Sequence, residues 1–182
     1  QYYEMNIDHC VINNSNDFKH ADKLILPGVG SFDYCISKLN ESNLLKELNN
    51  SVLIKKIPIL GICVGMQLMG YSSEEGVEKG LGWIPGTVKK FNVKKIINKP
   101  KIPHLGWNSI TLERKNNLFD NVDLDKGFYF VHSYFFETEN KENSLSTSFY
   151  GYEFVSGIIR DNIYGVQFHP EKSHSNGSTF LN

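Results

Sequence analysis

The sequence has little arginine, little tryptophan and almost no net charge. Only Arg114 and Arg160 among its 19 basic residues are arginine, and the formal net charge is −1 at pH 7. This balance gives the chain no attraction toward nucleic acid or an anionic membrane surface. No apolar run approaches the roughly 20 residues that a transmembrane helix requires. We therefore expect neither a nucleic acid nor a membrane as a partner.

Cysteine is scarce as well. The three residues Cys10, Cys35 and Cys63 are an odd number and have no spacing typical of metal ligands. Free thiols in a reducing cytoplasm are the simplest interpretation, and Cys10 and Cys35 suit small core positions. The opening letters QYYEMNIDHC show no signal-peptide pattern. We expect a cytoplasmic protein that needs no cofactor and no metal.

What the sequence does contain suits one globular domain over residues 1–182, because 40% of the residues are hydrophobic and 21% are charged. The runs KLILPGVG (23–30) and IPILGIC (57–63) are typical of buried strands. The first is followed by a segment with helical spacing at 32–50, and the second by a segment at 64–75 that is typical of a helix and its exit. Strand, helix, strand and helix in this order predict a βαβ unit with a parallel sheet.

After Gly76 the sequence changes to aromatic and β-branched runs divided by turn residues. Examples are GFYFVHSYFFE (127–137), YEFVSGIIRD (152–161) and NIYGVQFHPE (162–171). Such runs are typical of strands. The predicted fold class is therefore α/β, with a mostly parallel central sheet and an antiparallel extension.

The pentapeptide GICVG (61–65) places Cys63 on a glycine-flanked corner directly after a buried strand. A nucleophile elbow has this form, since glycines allow the tight turn that lifts the nucleophile clear of the sheet. The backbone N–H of Val64 would then point into the site as an oxyanion donor. A packing cysteine beside two incidental glycines is the alternative, and the pentapeptide alone leaves both interpretations open.

A thiol nucleophile needs a base, and His169 and Glu171 in GVQFHPEK (165–172) are the candidates. Residues two apart lie on the same side of an extended chain, and Pro170 keeps its predecessor extended. Glu171 could therefore orient the imidazole of His169 while that imidazole faces Cys63. This arrangement would be a Cys-His-Glu triad.

Six motifs occur in the order seen in class I (triad) glutamine amidotransferase domains, and together they span nearly the whole chain. They are PGVGSFD, PILGICVGMQ, SSEEG, PHLGWN, FYFVHSY and GVQFHPEKS. More narrowly, PGVG and PHLGWN resemble the glutaminase subunits of imidazole glycerol phosphate synthases. The resemblance implies a three-layer fold in which Cys63 attacks the side-chain amide of glutamine, His169 shuttles protons and Glu171 orients His169.

The resemblance also implies the remaining parts of the site. The oxyanion hole would use Val64 and, after a backbone rearrangement, the PGVG segment around Val29 and Gly30. The family positions that bind glutamine match Gln67, Glu75, His132, Ser133 and Tyr134. The family partner is a cyclase-type (β/α)₈ barrel in a heterodimer, and its interface would include His104, Trp107, Asn108 and Lys172. For His104 and His132 a purely structural role remains the alternative.

Three other functions stay open. A paralogue of this subfamily supplies ammonia for amidino sugars of bacterial surface polysaccharide, rather than for histidine biosynthesis. A non-catalytic regulatory subunit is a second possibility, although the intact Cys63, His169 and Glu171 argue against it. A cysteine hydrolase of the related protease and deglycase superfamily is the third, but there the base commonly follows the elbow closely.

The chain departs from the family pattern at both ends. Family members begin with a strand, a glycine- and asparagine-rich loop and a helix, and this first βα unit has no counterpart here. The chain also ends at STFLN, partway through a final helix. We expect a sheet with an exposed edge and exposed apolar surface.

Overall fold

A computed structural model describes residues 7–96 and 101–182. Residues 1–6 and 97–100, which the single-domain prediction includes, lie outside the described part. The strands are β1 Leu24–Gly28, β2 Ile59–Cys63, β3 Gly86–Lys90, β4 His104–Asn108, β5 Thr111–Leu112, β6 Phe128–His132, β7 Tyr134–Thr138, β8 Ser144–Phe149, β9 Glu153–Arg160 and β10 Ile163–Val166. The α-helices are α1 Phe32–Glu41, α2 Leu45–Asn49, α3 Val64–Gln67 and α4 His174–Leu181.

Eight strands form one sheet with the order β1-β2-β10-β9-β7-β3, while β8 pairs with β9 and β5 pairs with β8. β4 and β6 form a separate antiparallel pair. The α/β class is confirmed, but the expectation of a mostly parallel sheet is wrong. Among the strands in the described residues, parallel pairing joins only β1, β2 and β10. A parallel pair needs a long crossover, which α1 and α2 supply between β1 and β2, whereas only residues 150–152 separate β8 from β9.

The segment 64–75, predicted as a helix and its exit, contains only a short helix, because α3 ends at Gln67. The carbonyls of the next residues accept hydrogen bonds from a distant loop. Leu81 N donates to Leu68 O at 2.7 Å, and Trp83 N donates to Met69 O at 2.9 Å. These bonds replace the ones that a longer helix would make within itself.

The run predicted over 127–137 as one strand is two strands in two sheets. β6 pairs with β4 and β7 pairs with β3, and Ser133 lies at the break between them. The core packs around aromatic rings from this half of the chain, including Phe128 stacked on Phe168 at 3.9 Å between centroids. Ser133, where β6 ends and β7 begins, therefore lies close to this aromatic core.

All three cysteines are free thiols, as predicted. Cys35 is half-buried, but Cys10 is exposed, so the expected core position of Cys10 is wrong. No helix in the described part of the chain is both long and apolar enough to cross a membrane. Within residues 7–96 and 101–182, no cluster of three or more His, Cys, Asp or Glu side chains is arranged to hold a metal ion.

Candidate active site

Cys63 is the last residue of β2, and α3 begins at the next residue. Its backbone has φ = +53° and ψ = −112°, a conformation that residues other than glycine rarely adopt. Such strain persists only where the surrounding structure enforces it, and it is typical of functional sites. The corner predicted from GICVG is therefore present, with a strained cysteine at its apex.

The two glycines that flank Cys63 allow α3 to approach the sheet closely. A β-carbon on Gly65 would lie 1.8 Å from Leu26 O, and one on Gly61 would lie 2.7 Å from Met66 N. Both distances are far below a real contact. The glycines are thus required by the packing of the elbow, which removes the argument that they stand beside Cys63 by accident.

The parallel pairing of β10 with β2 brings His169 to Cys63. Val166 lies opposite Ile62, so the chain that leaves β10 runs past the end of β2. His169 is buried, and its Nδ1 lies 2.6 Å from Oε1 of Glu171. Cys63 and His169 line the same cavity, and the thiol is close enough to act on the pKa of the imidazole. The structure thus brings the three predicted catalytic residues together in the predicted order.

The electrostatics of this group favour a charged imidazole. Burial lowers the pKa of His169, but its interactions with Cys63 and with the Glu171 carboxylate outweigh burial and raise the pKa to about 9. For Glu171, burial acts to raise the pKa, and the hydrogen bond and charge of His169 lower it below its usual value. The arrangement suits an imidazolium that Glu171 stabilises as its ion-pair partner.

A cavity of about 400 Å³ opens over the thiol, which is within the size range of small-molecule sites. Its walls include Pro103, Val131 and the rim residue Lys172. The other lining residues are Gly28, Val29, Gly30, Cys63, Val64, Gln67, Glu75, His132, Ser133, Tyr134 and His169. Every residue predicted for the oxyanion hole or for substrate binding therefore lines one cavity, and Glu171 supports His169 from behind.

The PGVG segment forms one side of this cavity, and each of its two glycines is required for a different physical reason. Gly28 lies opposite Cys63 in the β1–β2 pair, and Gly30 has φ = +104°, in the region that favours glycine. Between them, the carbonyl of Val29 accepts a hydrogen bond from the thiol of Cys35 at 3.4 Å. The segment is held from outside the cavity by α1.

The predicted substrate-binding side chains are anchored on the opposite wall and at the helix end. Gln67 Nε2 donates to Tyr134 O at 3.0 Å. Glu75 Oε2 accepts from the backbone N–H of Phe32, the first residue of α1, at 2.7 Å. A carboxylate is stabilised at this end of a helix. Both side chains are held in fixed orientations at the cavity wall.

His132 and His104 form a hydrogen-bonded chain behind the cavity. His132 Nδ1 lies 2.8 Å from Tyr134 O, so it carries the proton and donates. His132 Nε2 then accepts from His104 Nδ1 at 2.9 Å, and His104 Nε2 accepts from Asn108 Nδ2 at 3.1 Å. Burial lowers the pKa of His104 to about 4. Burial, followed by the charges of His104 and His169, lowers the pKa of His132 to about 3.

The structure revises the predicted interface. His104 is only 4% exposed, so its side chain has little surface to offer a partner. Its neighbours on β4 alternate outward, since Leu105 is 63% and Trp107 is 45% exposed. Asn108 is half-buried, and its Nδ2 donates to the carbonyl of Phe149, whose side chain is 66% exposed. We call Leu105, Trp107 and Phe149 the apolar face; the sequence motif singles out only Trp107.

Sequence reasoning also misses Gln167. This side chain is fully buried, and its Nε2 lies 3.6 Å from Cys63 Sγ. It stands two residues before His169 in an extended segment. The spacing that predicts the contact of His169 with Glu171 therefore also places Gln167 on the side of the thiol. The motif GVQFHPE carries a signal for the glutamine as well as for the histidine and the glutamate.

Comparison with known proteins agrees with this geometry. Residues 3–181 match the family described as "Glutamine amidotransferase class-I". The chain is 46% identical over 177 residues to imidazole glycerol phosphate synthase subunit HisH of Leptospira borgpetersenii, covering 97% of this chain and 87% of the relative. It is 50% identical over 178 residues to subunit HisH 2 of Methanococcus maripaludis, covering 98% and 87%.

Among solved structures, a putative GMP synthase protein from Thermoplasma acidophilum superposes with a TM-score of 0.70 at 20% identity, covering 99% of this chain and 80% of that one. Identity this low supports the fold alone. The family match spans nearly the whole sequence, and the relatives are similar over nearly their whole length. The chain belongs to the class I glutamine amidotransferase family of enzymes.

Proposed function

We propose that this protein is the glutaminase subunit of an imidazole glycerol phosphate synthase that serves histidine biosynthesis in the cytoplasm. It hydrolyses glutamine to glutamate and ammonia. The observation that carries the proposal is the strained Cys63 at the end of β2, which shares one cavity with a His169 that Glu171 holds at 2.6 Å. The similarity to subunits named HisH supports the same function.

The chemistry uses side chains and backbone amides of the cavity. The proton of the Cys63 thiol passes to His169, and the sulfur attacks the side-chain amide carbon of glutamine, so that the carbonyl oxygen becomes an oxyanion that Val64 N–H can stabilise. His169 gives its proton to the amide nitrogen, and ammonia leaves with the electron pair of the broken C–N bond. A water molecule then gives a proton to His169 and attacks the thioester, releasing glutamate and the thiol.

The cavity wall can also position the amino-acid end of glutamine. Gln67 donates through its amide nitrogen to Tyr134 O and Gln167 Oε1, which leaves its own Oε1 to accept from the substrate's α-ammonium group. Glu75, held by the N-terminus of α1, offers a carboxylate to the same ammonium group. Fixed groups of this kind orient the scissile amide over Cys63, and that orientation accelerates the reaction.

The partner in this proposal is a cyclase-type (β/α)₈ barrel that forms a heterodimer with the chain and receives the ammonia. The apolar face of Leu105, Trp107 and Phe149 supports a protein partner, because exposed apolar groups of this kind commonly mark interfaces. Trp107 is held by stacking on His174, with centroids 5.4 Å apart and planes at 6°. Lys172, which the family motif also assigns to the interface, is exposed at the cavity rim.

The decisive experiment is Cys63→Ala in the full complex with the barrel. We expect glutamine-dependent synthesis to be lost while synthesis from added ammonia continues, because the barrel's own chemistry does not use the thiol. Cys10→Ala removes an exposed thiol and is the control. Glutamate release at the wild-type rate by Cys63→Ala would refute the proposal.

A further inference from the structure

Gln167 is a buried carboxamide that the reaction described above does not use. Its side chain has no exposed surface. Its Nε2 lies 3.6 Å from Cys63 Sγ, and its Oε1 accepts a hydrogen bond from Gln67 Nε2 at 2.9 Å. Burying an amide costs free energy unless its polar atoms are bonded. The position is therefore suited to a side chain that makes these two bonds.

The backbone fixes where this amide can reach. Val166 pairs with Ile62 across β10 and β2. The residues that follow them, Gln167 and Cys63, therefore lie beside each other. The N–H of Gln167 donates to Ser156 O at 2.9 Å, which holds the extended chain against β9. Because side chains alternate along it, Gln167 faces the thiol and Phe168 turns into the core.

The hydrogen-bond pattern also fixes which end of the amide faces the sulfur. Gln67 Nε2 donates to both Tyr134 O and Gln167 Oε1, so Gln67 presents its N–H groups toward Gln167. The oxygen of Gln167 must accept there, and its NH₂ group is left to face Cys63. A flipped amide would set two donors against each other.

Building on the proposed glutaminase function, we propose that Gln167 is a further catalytic residue that donates a hydrogen bond to the sulfur of Cys63. The bond aims the sulfur at the substrate amide carbon. It also strengthens when the thioester hydrolyses, because water oxygen bonds to the carbonyl carbon, the C–S bond breaks and its electron pair returns to sulfur. Donors to an ionised acceptor form stronger hydrogen bonds than donors to a neutral one.

Two substitutions separate the donor from the rest of the side chain. Gln167→Glu keeps an oxygen that can accept from Gln67 Nε2, and it replaces the NH₂ donor that faces Cys63 with a second carboxylate oxygen. Gln167→Met has similar length, carries no charge and removes both bonds. Asn143→Asp is the matched control, because Asn143 is another buried carboxamide, donates to Ile159 O at 3.0 Å and lies toward the other end of β9 and β10.

The first measurement is alkylation of Cys63 by iodoacetamide at neutral pH, followed on the Cys63 peptide by mass spectrometry. We expect both Gln167 variants to react roughly tenfold more slowly than wild type, the effect of losing a hydrogen bond to a charged group, and the control to react normally. The second is glutamine turnover in complex with the barrel. There kcat should fall in both variants, and KM should rise only in Gln167→Met, where Gln67 loses an acceptor.

Iodoacetamide needs no glutamine, so the two proposals can fail separately. If the wild-type protein does not hydrolyse glutamine but the Gln167 variants are still alkylated more slowly than wild type, the glutaminase proposal is overturned and the hydrogen bond to sulfur is supported. A folded Gln167→Met with wild-type alkylation and wild-type kcat would overturn the role of Gln167. The uncharged methionine keeps the test available if the buried charge of Gln167→Glu unfolds the protein, as circular dichroism would show.

Discussion

Gly28 lies directly opposite Cys63 in the parallel pair of β1 and β2, and the start of α3 passes over both. A β-carbon on Gly28 would lie 2.5 Å from Gly65 N, while one on Gly65 would lie 1.8 Å from Leu26 O. Cys63 therefore lies where three backbone segments are in contact with no side chains between them. The strained backbone of Cys63 is imposed by this close contact rather than by its own sequence preference.

The first prediction is that Gly65→Ala severely destabilises the fold. The new methyl group would collide with the backbone of β1, which cannot move as a flexible side chain could, and we expect a loss of about 3 kcal/mol or more in the free energy of unfolding. Urea denaturation measures it. Gly82→Ala is the control, because Gly82 has φ = +66° but no atom closer than 3.7 Å to the added carbon. The packing explanation fails if Gly65→Ala is no worse than the control.

The second prediction concerns the roles of His169 and Glu171. His169→Ala removes the group that moves protons, which is typically worth 10²–10⁴-fold in rate. Glu171→Gln keeps a side chain that can still contact Nδ1 at the observed 2.6 Å position but removes the charge, so we expect a smaller loss. Glutaminase turnover of the folded complex is the measurement. Equal losses, or a larger loss for Glu171→Gln, would contradict the assigned roles.

Much of this site follows from local spacing in the sequence. The contact between His169 and Glu171 is predictable because residues two apart share one side of an extended chain, and GICVG predicts the corner at Cys63. The same logic applies to Gln167, but its bond to Gln67 joins residues 100 positions apart, and only the assembled sheet reveals that pairing. Local sequence patterns predict which side of a strand or helix a side chain lies on. The packing of distant segments decides which residues that side contacts.

The errors have the same origin. α3 ends after Gln67 because the carbonyls of Leu68 and Met69 accept from a loop more than ten residues away, a competition that helical periodicity cannot detect. The interface position predicted for His104 rests on its motif, which is near the partner in the family. Alternation along β4 predicts that His104 and Trp107 face opposite sides, but which side is covered depends on the packing of β4 on β6 and the core.

The third prediction is an acid-sensitive stability that arises from His104 and His132. Their pKa values in the folded protein, about 4 and about 3, lie below the ordinary 6.5. The unfolded chain therefore binds protons first, and stability is fully present above pH 6.5 and falls as the pH decreases toward 4 and 3. We expect a loss of several kcal/mol across that window, roughly 1.4 kcal/mol for each unit of depression.

Thermal unfolding as a function of pH measures this effect. His132→Gln should flatten the curve between pH 6.5 and 4, because Gln can still donate to Tyr134 O but does not titrate. His20→Gln, at an exposed histidine, is the matched control for losing one imidazole. A steep curve that His132→Gln leaves unchanged would show that other groups cause the acid sensitivity.

The last prediction is that the barrel partner controls glutaminase turnover through the PGVG segment. Val29 lines the cavity, and its carbonyl is held from behind by the Cys35 thiol at 3.4 Å. In the proposed reaction Val64 N–H is one donor to the oxyanion, and a second donor from the peptides between Gly28 and Gly30 would be worth roughly 10²–10³ in rate. We expect the isolated subunit to turn over glutamine slowly, the complex to be faster, and an acceptor analogue in the barrel to stimulate it further.

Gly30→Ala tests this mechanism because Gly30 has φ = +104°, which a β-carbon disfavours by about 1–2 kcal/mol. The substitution narrows the conformations open to the segment, so the ratio of partner-bound to isolated turnover should fall, whether the basal rate rises or the stimulated rate drops. Gly82→Ala, also at positive φ but away from the cavity, should keep the wild-type ratio. The partner can shift the segment by no more than its difference in affinity for the two orientations. High activity of the isolated subunit, or full stimulation of a Gly30→Ala variant that still binds the barrel, would rule out control through this segment.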